Sequence, residues 1–147
     1  MHLTREELKY RYDYVNGWLY NKSTERCIGC VGGKHIQVWI DGIQYKAHRV
    51  IWFWHFGTLP EQIDHIDRDN YNNKIENLRD CSNAQNQMNV ARRKFCGIYK
   101  CGNKWKAILG GGAYGYIGLY ETKEDARDAR NEVGLRIYGE FFTPELD

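Results

Sequence analysis

Seven asparagines lie between Asp64 and Asn89 of this 147-residue chain, at positions 70, 72, 73, 77, 83, 86 and 89, and no other stretch restricts the fold as strongly. An Asn side chain bonds nearby backbone groups and tolerates left-handed geometry, so a run of them favours turns over helix or sheet. A long ordered loop over Asp67 to Leu78 is expected, with the apolar Ile75 and Leu78 as its anchors. Beyond it, Ser82 and Gln85 have capping-box spacing, which predicts a helix from Asn83 to about Val90. Strand, loop and helix therefore succeed one another here.

The flanking segments read as a small α+β support. Thr4 followed by Glu7 is a second capping box, so a short helix runs from Arg5 to about Tyr12. Apolar residues alternate on both sides of Asp41-Gly42, a dipeptide that supplies the positive φ angles of a two-residue hairpin turn, and strands are expected at 35–40 and 43–48. The run HRVIWFWHFG then predicts a buried helix ended by Gly57, with Pro60 beyond it. Aromatics make up 14% of the chain, which argues against disorder, because rings buried in a core offset conformational entropy. No apolar run approaches the roughly 20 residues of a membrane span. MHLTREELKY has charges where a signal peptide would be apolar, so a soluble cytoplasmic protein is expected.

The formal net charge of +2 gives no reason to suspect a polyanionic partner until it is divided by position. Residues 1–80 carry 11 basic and 11 acidic groups, residues 81–120 carry 6 and none, and residues 121–147 carry 4 and 8. The basic block contains Arg92, Arg93, Lys94, Lys100, Lys104 and Lys106 among aromatics, a candidate phosphate-contacting surface. Its sequence reads as three short strands, followed by a helix capped by Thr122 and Asp125, whose Ala126, Ala129, Val133 and Ile137 form an apolar stripe. Strand alternation sends Trp105, Ala107 and Leu109 toward that helix, and Lys104, Lys106 and Ile108 away from it.

The polar groups that carry chemistry are Asp64 and His65 at the end of an apolar strand, Asn77 in the loop and Asn86 on the following helix. An imidazole can act as a base near neutral pH. A carboxylate and an amide oxygen are hard ligands suited to Mg²⁺ or Mn²⁺. Adjacent side chains of a regular strand point to opposite faces, so Asp64 and His65 converge on one phosphate only if the strand breaks there. His48 and His55, on the aromatic helix, read as structural, with His48 able to support the site from behind.

The stretch IDHIDRDNYNNKIENLRDCSNAQNQMN closely resembles the HNH endonucleases of phages and mobile introns, through its DH pair, its NNxIxNL and the helix Asn that follows. The preceding YKAHRVIWFWHFG is similar to the segment before that motif in many phage HNH proteins, so the resemblance covers about residues 35–90. It implies a ββα-metal core supported by the N-terminal hairpin. It also implies phosphodiester hydrolysis in double-stranded DNA, with Asp64 and Asn86 as ligands of one Mg²⁺ or Mn²⁺ ion, His65 as the general base and Asn77 as the residue that braces the loop and orients His65. Residues 96–142 resemble the AP2 DNA-binding domain, through GIY, KWKA, YIGLY, TKEDARDAR and YGEFF. That resemblance implies a three-stranded antiparallel sheet backed by one helix, with Tyr99, Lys106, Ile108, Tyr114 and Tyr116 facing DNA and Arg92, Arg93, Lys94, Lys100 and Lys104 adding contacts.

The expected organisation is a nuclease domain over 1–91 and a DNA-binding domain over 92–147, in a monomer or homodimer of a phage-infected bacterial host. Cys27, Cys30, Cys96 and Cys101 could supply a structural zinc site, but the loose second spacing argues against it and for reduced thiols. The rival activity is that of a non-catalytic DNA-binding regulator relying on the AP2-like part.

Overall fold

The computed structural model describes residues 1–89, 96–110 and 115–146. These form a mixed α and β structure of several small antiparallel sheets and four α-helices. Two compact units divide the chain, Met1–Asn83 and Ala84–Asp147. The division falls earlier than the expected 91/92 boundary, ahead of most of the helix that follows the loop. None of the helices among the described residues is long and apolar enough to cross a membrane.

In the first unit, α1 (Arg5–Arg11) begins at the capping box of Thr4 and Glu7, with both reciprocal hydrogen bonds made. A hairpin of β1 (Tyr12–Val15) and β2 (Trp18–Asn21) follows, then a three-stranded sheet of β3 (Gly29–Gly32), β4 (His35–Ile40) and β5 (Ile43–Lys46) in the order β3-β4-β5. The turn from β4 to β5 has positive φ at both Asp41 (52°) and Gly42 (78°), as the Asp-Gly pair predicts. β5 stops short of the expected end at 48 because α2 (Ala47–Phe56) starts at Ala47. Ile36, Val38 and Ile40 project from one face of β4 onto Val50 and Ile51 of α2 and onto Leu8 of α1, in a core where each is 2% exposed or less. α2 ends at Gly57, whose φ of 73° is the left-handed cap that an L side chain resists.

β6 (Gln62–His65) pairs with β7 (Leu78–Cys81), and the loop between them closes through a short 3₁₀ turn, Ile75–Asn77. Neither the β1–β2 hairpin nor β3 was expected from the sequence, and β7 only as the second strand of the ββα core that the HNH resemblance implies. Two tyrosines tie the loop to the rest of this unit: Tyr71 Oη donates to Gly33 O at 2.7 Å, and Ile75 N donates to Tyr14 Oη at 2.9 Å. Helix α3 (Asn83–Met88) comes next, as predicted.

In the second unit, β8 (Ile98–Cys101), β9 (Lys104–Ile108) and β10 (Tyr116–Tyr120) form a sheet in the order β10-β9-β8, and α4 (Lys123–Tyr138) packs on it. Thr122 caps α4 as expected, accepting a hydrogen bond from Asp125 N. Ile98, Ala107 and Ala126 form one small core, and Met88, Leu109 and Phe142 another, which draws α3 into this unit. The helix stripe is less apolar than predicted. Arg130 is 1% exposed and lies 5.4 Å from the Phe142 ring, a cation–π contact that lets a guanidinium occupy an interior position. Gly134 makes room for the same ring, since a Cβ there would meet it at 2.3 Å.

Candidate active site

The β6–β7 hairpin sets the phase of the site. Asp64 stands opposite Arg79 and His65 opposite Leu78 in a regular antiparallel register. The chain leaves the strand only after His65, where Ile66 N donates to Asn77 O and Arg68 N to His65 O. The strand break that convergence of Asp64 and His65 would need is thus absent, and alternation gives the two side chains different neighbours.

Asp64 is 6% exposed, and its Oδ2 accepts from Arg79 Nε at 2.9 Å and from Nη2 at 2.8 Å. Arg79, which sequence reasoning passed over, places a cation directly against the proposed metal ligand. Its signal was its position one residue after Leu78, which pairs it with Asp64 once β7 is recognised as a strand.

His65 is 4% exposed and lies among side chains from separate elements. Its Nε2 is 2.9 Å from Asn73 Oδ1. With its amide oxygen toward the ring, Asn73 accepts from Nε2–H. The ring of His48 on α2 meets that of His65 edge to face at 5.1 Å, and the ring of His35 on β4 stacks on it at 6.3 Å. Burial first, then the neighbouring imidazoles and basic groups, pushes the His48 pKa down to about 3. His55 differs: its Nδ1 donates to Ile51 O and its ring packs on Tyr14, a structural role.

The two roles expected of Asn77 are divided between two residues. Asn77 braces the loop: its Oδ1 accepts from Asp67 N at 3.0 Å, and its Nδ2 donates to Asp67 Oδ1 and to Asn72 O, each at 2.8 Å. Asn73, only 1% exposed, is the side chain that contacts His65. Asp67 is the centre of the loop, for it also accepts from Asp69 N and from Asn72 Nδ2. Burial works against its charge, but the hydrogen bonds from Asn72, the Asp69 backbone and Asn77 together outweigh it and hold the carboxyl below its ordinary range.

Asn86 lies half-buried on α3, in the second unit. Its amide oxygen, like the Asp64 carboxylate, is a hard donor of the kind a divalent cation takes. Among the described residues no group of three or more His, Cys, Asp and Glu side chains is arranged to hold a metal ion. Cys27, Cys30 and Cys101 are exposed thiols and Cys96 is half-buried.

On the second unit's sheet, Lys106 of β9 lies between Tyr99 and Leu119, Lys104 pairs with Cys101, and Tyr116 with Ile108. These residues share the face away from α4, as expected, with Tyr99 and Tyr116 exposed. Lys100 pairs with Trp105 and so falls in the phase of the helix-covered face. Lys104 Nζ is 2.7 Å from the Glu121 carboxylate, which raises its pKa. Arg92, Arg93, Lys94 and Tyr114 lie outside the described residues.

Residues 45–88 match the family model of the HNH endonucleases. No curated protein and no solved structure matches the chain. The HNH match points to a nuclease acting on DNA, and it runs from β5 through α2, the loop and α3. His48, Asp64, His65, Asn73, Asn77, Arg79 and Asn86 all lie in this HNH segment, whereas His35 and the β8–β10 sheet lie outside it.

Two outcomes are expected. Arg79→Leu leaves Asp64 buried without its partner and lowers the unfolding free energy by roughly 3–5 kcal/mol, while Asp64→Leu/Arg79→Leu regains most of that stability in urea denaturation. Because the Asp67 pKa is lower in the folded chain, its contribution is present above the ordinary carboxylate pKa and is lost as pH falls through the folded value. Amide exchange protection of Asp67 and Asp69 is therefore expected to drop below about pH 4, and Asn77→Ala to shift the onset to higher pH.

Proposed function

We propose that this chain is a divalent-metal-dependent HNH endonuclease that hydrolyses phosphodiester bonds in double-stranded DNA. The observation that carries the reading is the His65–Asn73 hydrogen bond inside the HNH segment, which fixes the His65 ring. His65 takes the proton of the attacking water on its imidazole while Asn73 keeps the ring in place. Asn77 and Asp67 keep the loop closed so that Asn73 stays in place. Asp64 and Asn86 would hold the cation, which when bound polarises a phosphate oxygen and offsets charge on the leaving oxygen. Arg79 beside Asp64 weakens the attraction for a free cation, so phosphate oxygens of the substrate must complete the site. The β8–β10 sheet, through Tyr99, Lys104, Lys106 and Tyr116, serves as the AP2-like DNA-contacting surface, with Arg92, Arg93, Lys94 and Tyr114 adjoining it in sequence. A homing-like role in a phage fits this pairing of domains.

The Arg79–Asp64 ion pair favours one alternative, a DNA-binding regulator without nuclease activity. Plasmid cleavage decides between them. The parent chain nicks plasmid in Mg²⁺ or Mn²⁺ and is silent in EDTA, and His65→Ala removes cleavage while DNA binding persists. Asp64→Asn is a cleaner probe than Asp64→Ala, because it retains an acceptor for Arg79, and it is also expected to be inactive. A His65→Ala protein that cuts at the parent rate rejects the base. For the sheet, Lys104→Ala/Lys106→Ala flattens the plot of log K against log salt by about 0.9 for each DNA phosphate that is no longer neutralised. An unchanged slope rejects these lysines as phosphate ligands.

A further inference from the structure

Beside His65 the interior of the first unit contains polar atoms with no partner among the described residues. Nδ1 of His35, Nδ1 of His48 and Nδ2 of Asn73 are buried and make no hydrogen bond. The whole His48 side chain is deeply buried, at 6% exposure, and its ring lies 5.1 Å from those of both His35 and His65. A buried polar group left unpaired forfeits its hydration with nothing in return. An apolar ring of the same shape would avoid that cost, so the unpaired nitrogens call for a ligand.

His48 also belongs to the first turn of α2. That turn follows Lys46 as its N-cap, with no side-chain cap hydrogen bond and no acidic residue. First-turn amides lack intrahelical acceptors and carry the positive end of the helix dipole. The charged neighbours that act on the two outer imidazoles are all basic: Lys46, Arg49 and His65 on His48, and Lys46, Lys34 and His65 on His35. Arg49 is already engaged, donating to Pro60 O and Glu61 O, whereas Lys34 and Lys46 are exposed. A cation has no carboxylate to meet among these neighbours, and a neutral water would fill hydrogen bonds without using the positive field.

We infer that the uncapped N-terminus of α2 and the His48 ring form an oxyanion site for a phosphate group, next to His65 and distinct from the Asp64 and Asn86 ligand pair. His48 donates from Nδ1, the first-turn amides donate beside it, and Lys46 and Lys34 supply charge at the rim. Where the phosphate is one of a DNA backbone, the assignment rests on the nuclease reading and gives that site a second hold on its substrate. Where it is free phosphate, it does not.

The test follows the full chain by ¹⁵N–¹H spectroscopy without divalent cation, titrated separately with inorganic phosphate and with a short DNA duplex. The signals read are the amides of Ala47, His48 and Arg49 and the His48 ring N–H. Saturable shifts of these signals with phosphate are expected, and with duplex as well, the latter reversed by added phosphate if a backbone phosphate is the occupant. A response to phosphate alone keeps the site and assigns it to the free ion. His48→Phe and the surface variant Lys46→Glu, which leaves the core untouched, each weaken the response about tenfold, the equivalent of one charge-assisted hydrogen bond. If neither probe moves these signals, or if both variants respond as the parent does, the oxyanion site is overturned. A chain that shows the shifts but does not nick plasmid loses the nuclease reading and keeps the site, whereas one that nicks without them loses only the site.

Discussion

The Asp67 carboxylate is the constraint on which the rest of the site depends. Three donors converge on it, Asp69 N, Asn72 Nδ2 and Asn77 Nδ2, while Asp67 N donates to Asn77 Oδ1, and together these bonds turn a polar, asparagine-rich segment into an ordered loop. Such a segment has little apolar surface to offset the entropy of ordering, so it must be held by satisfied hydrogen bonds. With the loop closed, Asn73 is carried inward to His65, and Tyr14 and Tyr71 fasten the outside of the loop to the support below. The catalytic base of the proposed nuclease is thus oriented by a network whose centre never touches it.

Electrostatics around this loop separate into two regions. On the Asp64 side of the hairpin a carboxylate is matched by Arg79, and the pair is nearly excluded from water. Around His35 and His48 the charged neighbours among the described residues are basic, whereas His65 also has the Asp67 carboxylate near it. Alternation along β6 is what keeps the two regions apart, because adjacent residues project to opposite faces.

Much of the local structure is legible in the residues themselves. Thr4 with Glu7, Asp41 with Gly42, Gly57 and Thr122 each place a boundary by chemistry confined to a few residues, and each boundary lies where that chemistry requires. The asparagine-rich loop and the α3 helix after it are legible for the same reason. Of the candidate site, the sequence offers Asp64, His65, Asn77 and Asn86 as a pattern, and in the fold Asn77 hydrogen-bonds Asp67 and Asn72. β7 is not legible in its own residues because LRDC has no clear alternation, and the β1–β2 hairpin was missed because its short strands follow directly on a helix.

What the sequence by itself determined is the set of local decisions, the turns, caps and alternating strands, together with the residue types available for hydrolysis. Only the tertiary structure decided which of them meet. His35 is far from His65 in the chain and reaches it because β4 packs under α2, Asn73 rather than Asn77 touches His65 because the loop folds inward around Asp67, and Arg79 finds Asp64 through strand register. Buried Arg130 beneath Phe142 is another such case, an interior cation that no apolar pattern announces. The physical reason is common to all of them: capping and turn preferences act over three or four residues, whereas hydrogen-bond satisfaction in a low-dielectric interior depends on groups brought together from separate elements.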